Sequence, residues 1–220
     1  MLTSIPRGRL VHRLAALVLV VSCADGAERI ATPSPTSGTL PDVVPTASSG
    51  VVISQVYGGG GNSGATLKND YIEVYNGRNA TVTLTGWSVQ YASSVGTTWQ
   101  VTPLSGTLNP GQYYLIQESA GTGGTVSLPT ADASGSIAMS ATSGKVALVS
   151  TTTALSGTGC PFGGTVVDFV GYGTAANCFE GTTGTTATLT NTTAALRKDG
   201  GRQDTNDNSA DFTSGAPNPH

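Results

Sequence analysis

Residues 51–76 read V-V-I-S-Q-V-Y-G-G-G-G-N-S-G-A-T-L-K-N-D-Y-I-E-V-Y-N, and this stretch decides the fold class. Val51–Tyr57 is rich in β-branched residues and ends at the glycines 58 to 61; Tyr71–Asn76 then alternates apolar and polar side chains. A period of two is that of a strand whose successive side chains point to opposite faces. A glycine run between two such segments reads as a hairpin loop. Gly59–Gly64 also satisfies G-x-G-x-x-G. A dinucleotide site would need a helix to open there, with its N-terminus facing the pyrophosphate. Another strand follows instead, so the glycines are expected to form a flexible loop.

The pattern continues outward. Thr81–Tyr91 reads as a third strand, in which Val82, Leu84 and Gly86 give way to Trp87, Val89 and Tyr91, a change of phase that places a bulge or bend near Gly86. Thr98–Thr102, Gln112–Gln117, Gly144–Ser150 and Thr165–Tyr172 read as further strands, and Ala195–Lys198 closes the sheet. Turn signals such as Asn109-Pro110-Gly111 separate them. Composition agrees: of 220 residues 33 are threonine, 22 serine and 30 glycine, which favour strands and turns. No long window is dominated by Ala, Leu, Glu and Lys, which excludes a helical bundle. A hydrophobic content of 38% is enough for a core and argues against disorder. The expectation is an all-β sandwich of about eight short strands.

The N-terminal residues read as an address. Arg7, Arg9 and Arg13 precede the uncharged run Leu14–Val21, far short of the ~20 residues that span a bilayer. This is the anatomy of a signal peptide over 1–22. Val20-Val21-Ser22-Cys23 resembles a bacterial lipoprotein cleavage box, which would cut before Cys23 and place the lipid on it. An ordinary secretory signal that contains a cysteine is the alternative. Residues 23–49, with prolines at 33, 35, 41 and 45, read as a semi-extended tether to a domain at 50–220. Removing 1–22 deletes three arginines and no acid, leaving 7 basic and 13 acidic side chains, a net charge of 7 − 13 = −6 against −3 for the whole chain. A phosphate-backbone binder concentrates Lys and Arg on one face, so nucleic acid is disfavoured as a partner.

The succession V-V-I-S-Q-V-Y-G-G-G-G, N-D-Y-I-E-V-Y-N and L-T-G-W-S-V resembles the lamin-tail domain. T-L-N-P-G-Q-Y-Y-L-I, V-V-D-F-V-G-Y-G and A-L-R-K-D-G-G-R-Q-D-T-N-D-N-S-A-D-F continue the likeness in order, over roughly residues 50 to 219. The resemblance implies an immunoglobulin-like β-sandwich and a binding or attachment module. Bacterial members are often joined to secreted nucleases or phosphatases; none is expected here, where Pro219 and His220 follow.

Candidate chemistry is sparse. His12 falls in the signal and His220 is the last residue, so the folded domain is expected to lack imidazole for a Ser-His-Asp set or a metal. Cys160 and Cys178 lie 18 apart around Thr165–Tyr172, and in an exported chain they are expected to pair as a disulfide. Asp70 and Glu73 point to opposite strand faces; Glu73 is expected on a solvated face, with Asp168 as a conceivable distant partner. The ending carries Asp199, Asp204, Asn206, Asp207, Asn208 and Asp211, a candidate calcium loop, since hard cations want six to eight oxygens. It departs from an EF-hand at Ser209 and Gly215, and an Asx-rich turn is the alternative. Arg197, Lys198 and Arg202 are expected to salt-bridge to Asp199 and Asp204 rather than hold phosphate. The aromatic strand residues are expected in the core or in cross-strand pairs.

The reading that results is a non-catalytic, exported, membrane-anchored interaction or adhesion module, with a lipid on Cys23 and a protein or glycan partner at the cell surface. No cofactor is expected with certainty; structural calcium on the acidic loop is the one candidate. A nucleic-acid-associated accessory domain is the alternative, and a metal-assisted hydrolase on the 199–211 loop a distant third.

Overall fold

The computed structural model describes residues 50–157, 160–181 and 188–220. The leader, Cys23 and the tether lie outside the described residues. Twelve strands follow in order: β1 Val51–Tyr57, β2 Asn69–Asn76, β3 Val82–Thr83, β4 Ser88–Ser93, β5 Gln100–Pro103, β6 Thr107–Leu108, β7 Tyr113–Ala120, β8 Ala133–Ser134, β9 Gly144–Val149, β10 Val166–Tyr172, β11 Ala194–Arg197 and β12 Phe212–Gly215. Two four-residue helical turns, α1 Lys198–Gly201 and α2 Asn208–Asp211, sit between the last two strands.

The strands form a six-stranded sheet in the order β12-β11-β1-β2-β7-β8, a four-stranded sheet β10-β9-β4-β5, and a two-stranded ribbon β3-β6. All pairings but β7 with β8 are antiparallel. Thr81–Tyr91 is two strands, not one. Gly86 at φ +90° and the Trp87 N–H bonded to the Leu84 carbonyl make a turn that carries the chain from the ribbon into the four-stranded sheet. Alternation places Ile53, Ile72, Val74 and Ile116 of one sheet against Val89, Val146, Leu148 and Val170 of the other, all buried. The outer faces are covered too: Trp99, Ala147 and Phe169 cluster on one, and Tyr57, Tyr71 and Leu115 on the other. Tyr57 and Tyr71 are directly opposed across β1 and β2.

This double cover corrects the reading of Glu73 as solvated, because its side chain is fully buried. The β1–β2 register shifts between Ile53 and Gln55. That bulge turns Ser54 and Gln55 towards the same carboxylate, to which Ser54 Oγ donates at 2.7 Å and Gln55 Nε2 at 3.0 Å. The glycine loop is packed rather than flexible. Gly58–Gly61 are buried, the Gly60 N–H donates to Asp70 Oδ1 at 2.9 Å, and a Cβ on Gly60 would sit 1.9 Å from the Asn69 carbonyl carbon. Backbone can approach backbone that closely only without a side chain.

One end of the sandwich is closed by carboxylates. Asp70 Oδ2 accepts from the Met139 N–H at 2.8 Å, and Glu118 Oε2 from the Ile137 N–H at 2.9 Å, while Ile137 and Met139 place their side chains in the core. Burial pushes Asp70 up to about 7, against the pull of its two backbone donors, and raises Glu118 as well.

Candidate functional site

β10 is an edge strand of the four-stranded sheet, and the charged side chains gather beside it. The β9–β10 register shifts between Val166 and Asp168. Asp168 Oδ2 takes the Ile53 N–H at 2.6 Å, and Arg197 Nε donates to the Ile53 carbonyl at 2.8 Å. β11 pairs with β1 at Gln55 and Val56, so the main-chain groups of Ile53 are met by side chains instead. Arg197 Nη2 grips both Asp168 oxygens at 2.8 and 3.0 Å, and the guanidinium lies over the Phe212 ring. The pair thus bolts the edge of one sheet to the other.

Asp204 and Asp211 stand beside the other guanidinium nitrogen at 3.3 and 3.6 Å. Arg197 therefore faces Asp168, Asp204 and Asp211, with Glu180 also within its field. Burial and the Asp168 charge push Glu180 up to about 8, against the attraction of Arg197. The carboxylates of Asp168, Glu180 and Asp204 lie within 4.8 Å of one another.

Of the six residues of the acidic ending, the structure brings Asp204 into that group and Asp211 beside the same guanidinium; the other four lie outside it. Asp207 caps α2, accepting from Ser209 and Ala210 N–H. Asp211 accepts from the Thr205 N–H and hydroxyl, each at 2.8 Å. Asn208 plugs the β10 edge: its Oδ1 accepts from the Gly171 N–H at 2.8 Å and its Nδ2 donates to the Phe169 carbonyl at 3.0 Å. Asp199 and Asn206 are exposed at positive φ, 53° and 55°. Asx side chains bonding local backbone account for most of this loop. Arg197 is the one member of the basic trio engaged with these acids in this way; Lys198 donates to the Ala210 carbonyl and Arg202 to the Tyr75 hydroxyl.

Cys160 and Cys178 form the expected disulfide. It ties the loop before β10 to the loop after it, and these loops wall a cleft of about 380 Å³ lined by Phe162, Val167, Asp168, Phe179 and Glu180. Phe162 rests edge-on against Phe169.

A second cavity of about 210 Å³ lies over the outer face of the six-stranded sheet. It corrects two expectations. Glu73 is partnered not by Asp168 but by Ser54, Gln55 and His220, whose N–H donates at 2.7 Å and whose Nδ1 lies 3.1 Å from Oε2. The folded domain therefore does contain an imidazole, stacked on Tyr113 with centroids 4.0 Å apart. Asn218 holds the same tail by bonding Gln55 through both its N–H and its carbonyl. Serine and histidine both hang on the carboxylate. In a nucleophilic triad the histidine lies between them, so this arrangement is a clasp.

Two packed sheets of mostly antiparallel strands around one core define an all-β, immunoglobulin-like sandwich. The chain belongs to the lamin tail domain family: the Lamin Tail Domain model matches residues 44–174. These are non-enzymatic, immunoglobulin-like domains, compatible with an interaction role. β11, the acidic loop and β12 lie beyond the matched stretch. No curated protein matches the chain.

Proposed function

We propose that the chain is a non-catalytic interaction module, exported and held at the cell envelope by a lipid on Cys23. The 23–49 tether carries the sandwich away from the membrane towards a protein or glycan partner. The observation that carries this reading is the Cys160–Cys178 bridge, because disulfides persist in oxidising compartments and are rare in the cytosol. The leader pattern and the interaction character of the family support it. Nucleic acid does not suit the domain: from residue 50 it carries 6 basic and 10 acidic side chains, and Arg197 is buried among acids. Contacts of Asp204 and Asp211 with Arg197, and of Asp207 and Asp211 with backbone N–H groups, favour the Asx-rich turn over calcium in the 199–211 loop.

The test is expression of the full chain in a bacterial host with labelled palmitate. Wild type is expected in the membrane fraction carrying label, and Cys23→Ser unlabelled and released from it. Unlabelled wild type in the cytosol, with Cys160 and Cys178 reduced, would refute the reading.

A further inference from the structure

Building on the reading of the chain as an interaction module, we propose that the groove over Gln55, Glu73 and Tyr113 is a peptide-docking site. Residues 216–220, A-P-N-P-H, fill it as a displaceable strap, and the partner segment it takes is an extended, proline-interrupted peptide carrying histidine. The seat and its occupant differ in kind. Ser54, Gln55 and Glu73 are buried, whereas Asn218 and His220 above them are exposed. β12 ends at Gly215, and the segment beyond it is held by side chains of β1, β2 and β7 rather than by a strand ladder. The contacts are those of peptide recognition. The Gln55 amide reads a main-chain pair, its Nε2 donating to the Asn218 carbonyl at 2.6 Å and its Oε1 accepting the Asn218 N–H at 3.2 Å. Two residues on, Glu73 Oε2 accepts the His220 N–H at 2.7 Å. The same oxygen lies 3.1 Å from the ring Nδ1, while the ring stacks on Tyr113.

The prolines account for the spacing. Pro217 and Pro219 have no N–H, so Asn218 and His220 carry the donors of this stretch, and both are bonded to the seat. Proline also presets an extended backbone, so such a segment loses little freedom on docking, and aromatic grooves take proline-rich peptides for that reason. Tyr113, itself packed on Tyr75, supplies the aromatic surface here. The strap does not fill the groove. A cavity of about 210 Å³ remains, bounded by Asn218 and His220 and by Leu196, Gly200 and Gly201. The two glycines leave their wall without side chains: a Cβ on Gly201 would stand 3.1 Å from that of Tyr75 and 3.2 Å from that of Ser54. The Tyr113 hydroxyl donates to the Gly200 carbonyl at 2.7 Å and holds this wall in place. An incoming segment therefore has space beside the strap in which to start replacing it. Of the two partner classes, protein and glycan, the seat fits the first, because its polar groups match main-chain N–H and carbonyl groups at peptide spacing.

The experiment frees the seat and offers the segment in trans. In the full chain Asn218→Pro removes the N–H that Gln55 accepts, and His220→Ala removes the ring on Tyr113. The double variant is titrated by calorimetry with the acetylated pentapeptide A-P-N-P-H. Saturable binding is expected, about tenfold or more tighter than to wild type, since a seat filled by its own strap is competent only in the fraction of molecules where the strap is away. The pentapeptide with alanine in place of histidine is expected to bind about tenfold more weakly, having lost the stacked ring and its bond to the carboxylate. A measurement on wild type needs no variant: in the isotopically labelled chain, excess unlabelled peptide is expected to move the His220 ring resonances away from their stacked position, and it decides alone if the double variant fails to fold. Absence of saturable binding by the folded double variant overturns the proposal. So does equal affinity for wild type and the freed chain, equal affinity for the two peptides, or His220 resonances unmoved by millimolar peptide. A separate arm distinguishes the groove from the module reading. If wild type cross-links to a cell-surface protein and excess peptide leaves that cross-link intact, the module stands and the groove falls. If the freed seat binds the peptide but neither chain cross-links to a surface protein, the module reading falls and the peptide seat stands. Cross-linking that the double variant strengthens and the peptide abolishes supports both.

Discussion

Arg197 illustrates how much one buried cation can decide. Its guanidinium satisfies Asp168, and its Nε and the Asp168 carboxylate together satisfy the main chain of Ile53. Removing one partner of a buried pair leaves the other uncompensated, at a cost of about 3–5 kcal/mol. Arg197→Met is therefore expected to lower the unfolding free energy by that order in urea titration. The raised acids give a pH signature. Asp70, pushed up to about 7, and Glu180, to about 8, bind protons more readily folded than unfolded. Their stabilisation is complete below the ordinary carboxylate pKa and is lost as pH rises through those values. Thermal melts are expected to fall between pH 5 and pH 8.5, and Glu180→Gln to flatten the upper part of that fall. A melt that climbs over the same interval would contradict the assignment.

At the scale of elements, the loops around β10 depend on their staple. Breaking a bridge between residues 18 apart costs about 3 kcal/mol in the chain-entropy account, so Cys160→Ser with Cys178→Ser should lower denaturant stability by about that amount. Thiol titration of the unreduced, denatured chain should find neither cysteine free. The β1–β2 loop depends on close backbone approach. Gly60→Ala is expected to cost at least the ~1–3 kcal/mol of overpacking, read as a lower urea midpoint. Strands long enough to show their period were legible from residues alone, among them β1, β2, β9 and β10. β6 and β8, two residues each, are too short to carry a period, and β8 is a strand only because β7 lies alongside. The bridge was legible from spacing and expected compartment. The burial of Glu73 was not, because the cover comes from Asn218 and His220, 145 and 147 positions away. The acids of the 199–211 loop were visible as a group, but their true companions, Asp168 and Glu180, arrive from β10 and the loop after it. The consecutive polar pair Ser54-Gln55 inside an apolar strand was the available sign of the bulge.

At the scale of the molecule, two sheets share one core, and each has a second apolar layer outside it. From residue 50 the balance is 6 − 10 = −4, and Asp168, Glu180, Asp204 and Asp211 of the ten acids gather around Arg197 beside β10. The margins of the sheets are short or blocked. β5 ends at Pro103, β8 has two residues and β12 four, and the Asn208 amide fills the β10 margin at Phe169 and Gly171. Long open margins are what let sheets recruit neighbouring chains. Many copies crowded side by side would find little main chain to zip onto, so this domain can be displayed densely without polymerising through its own strands.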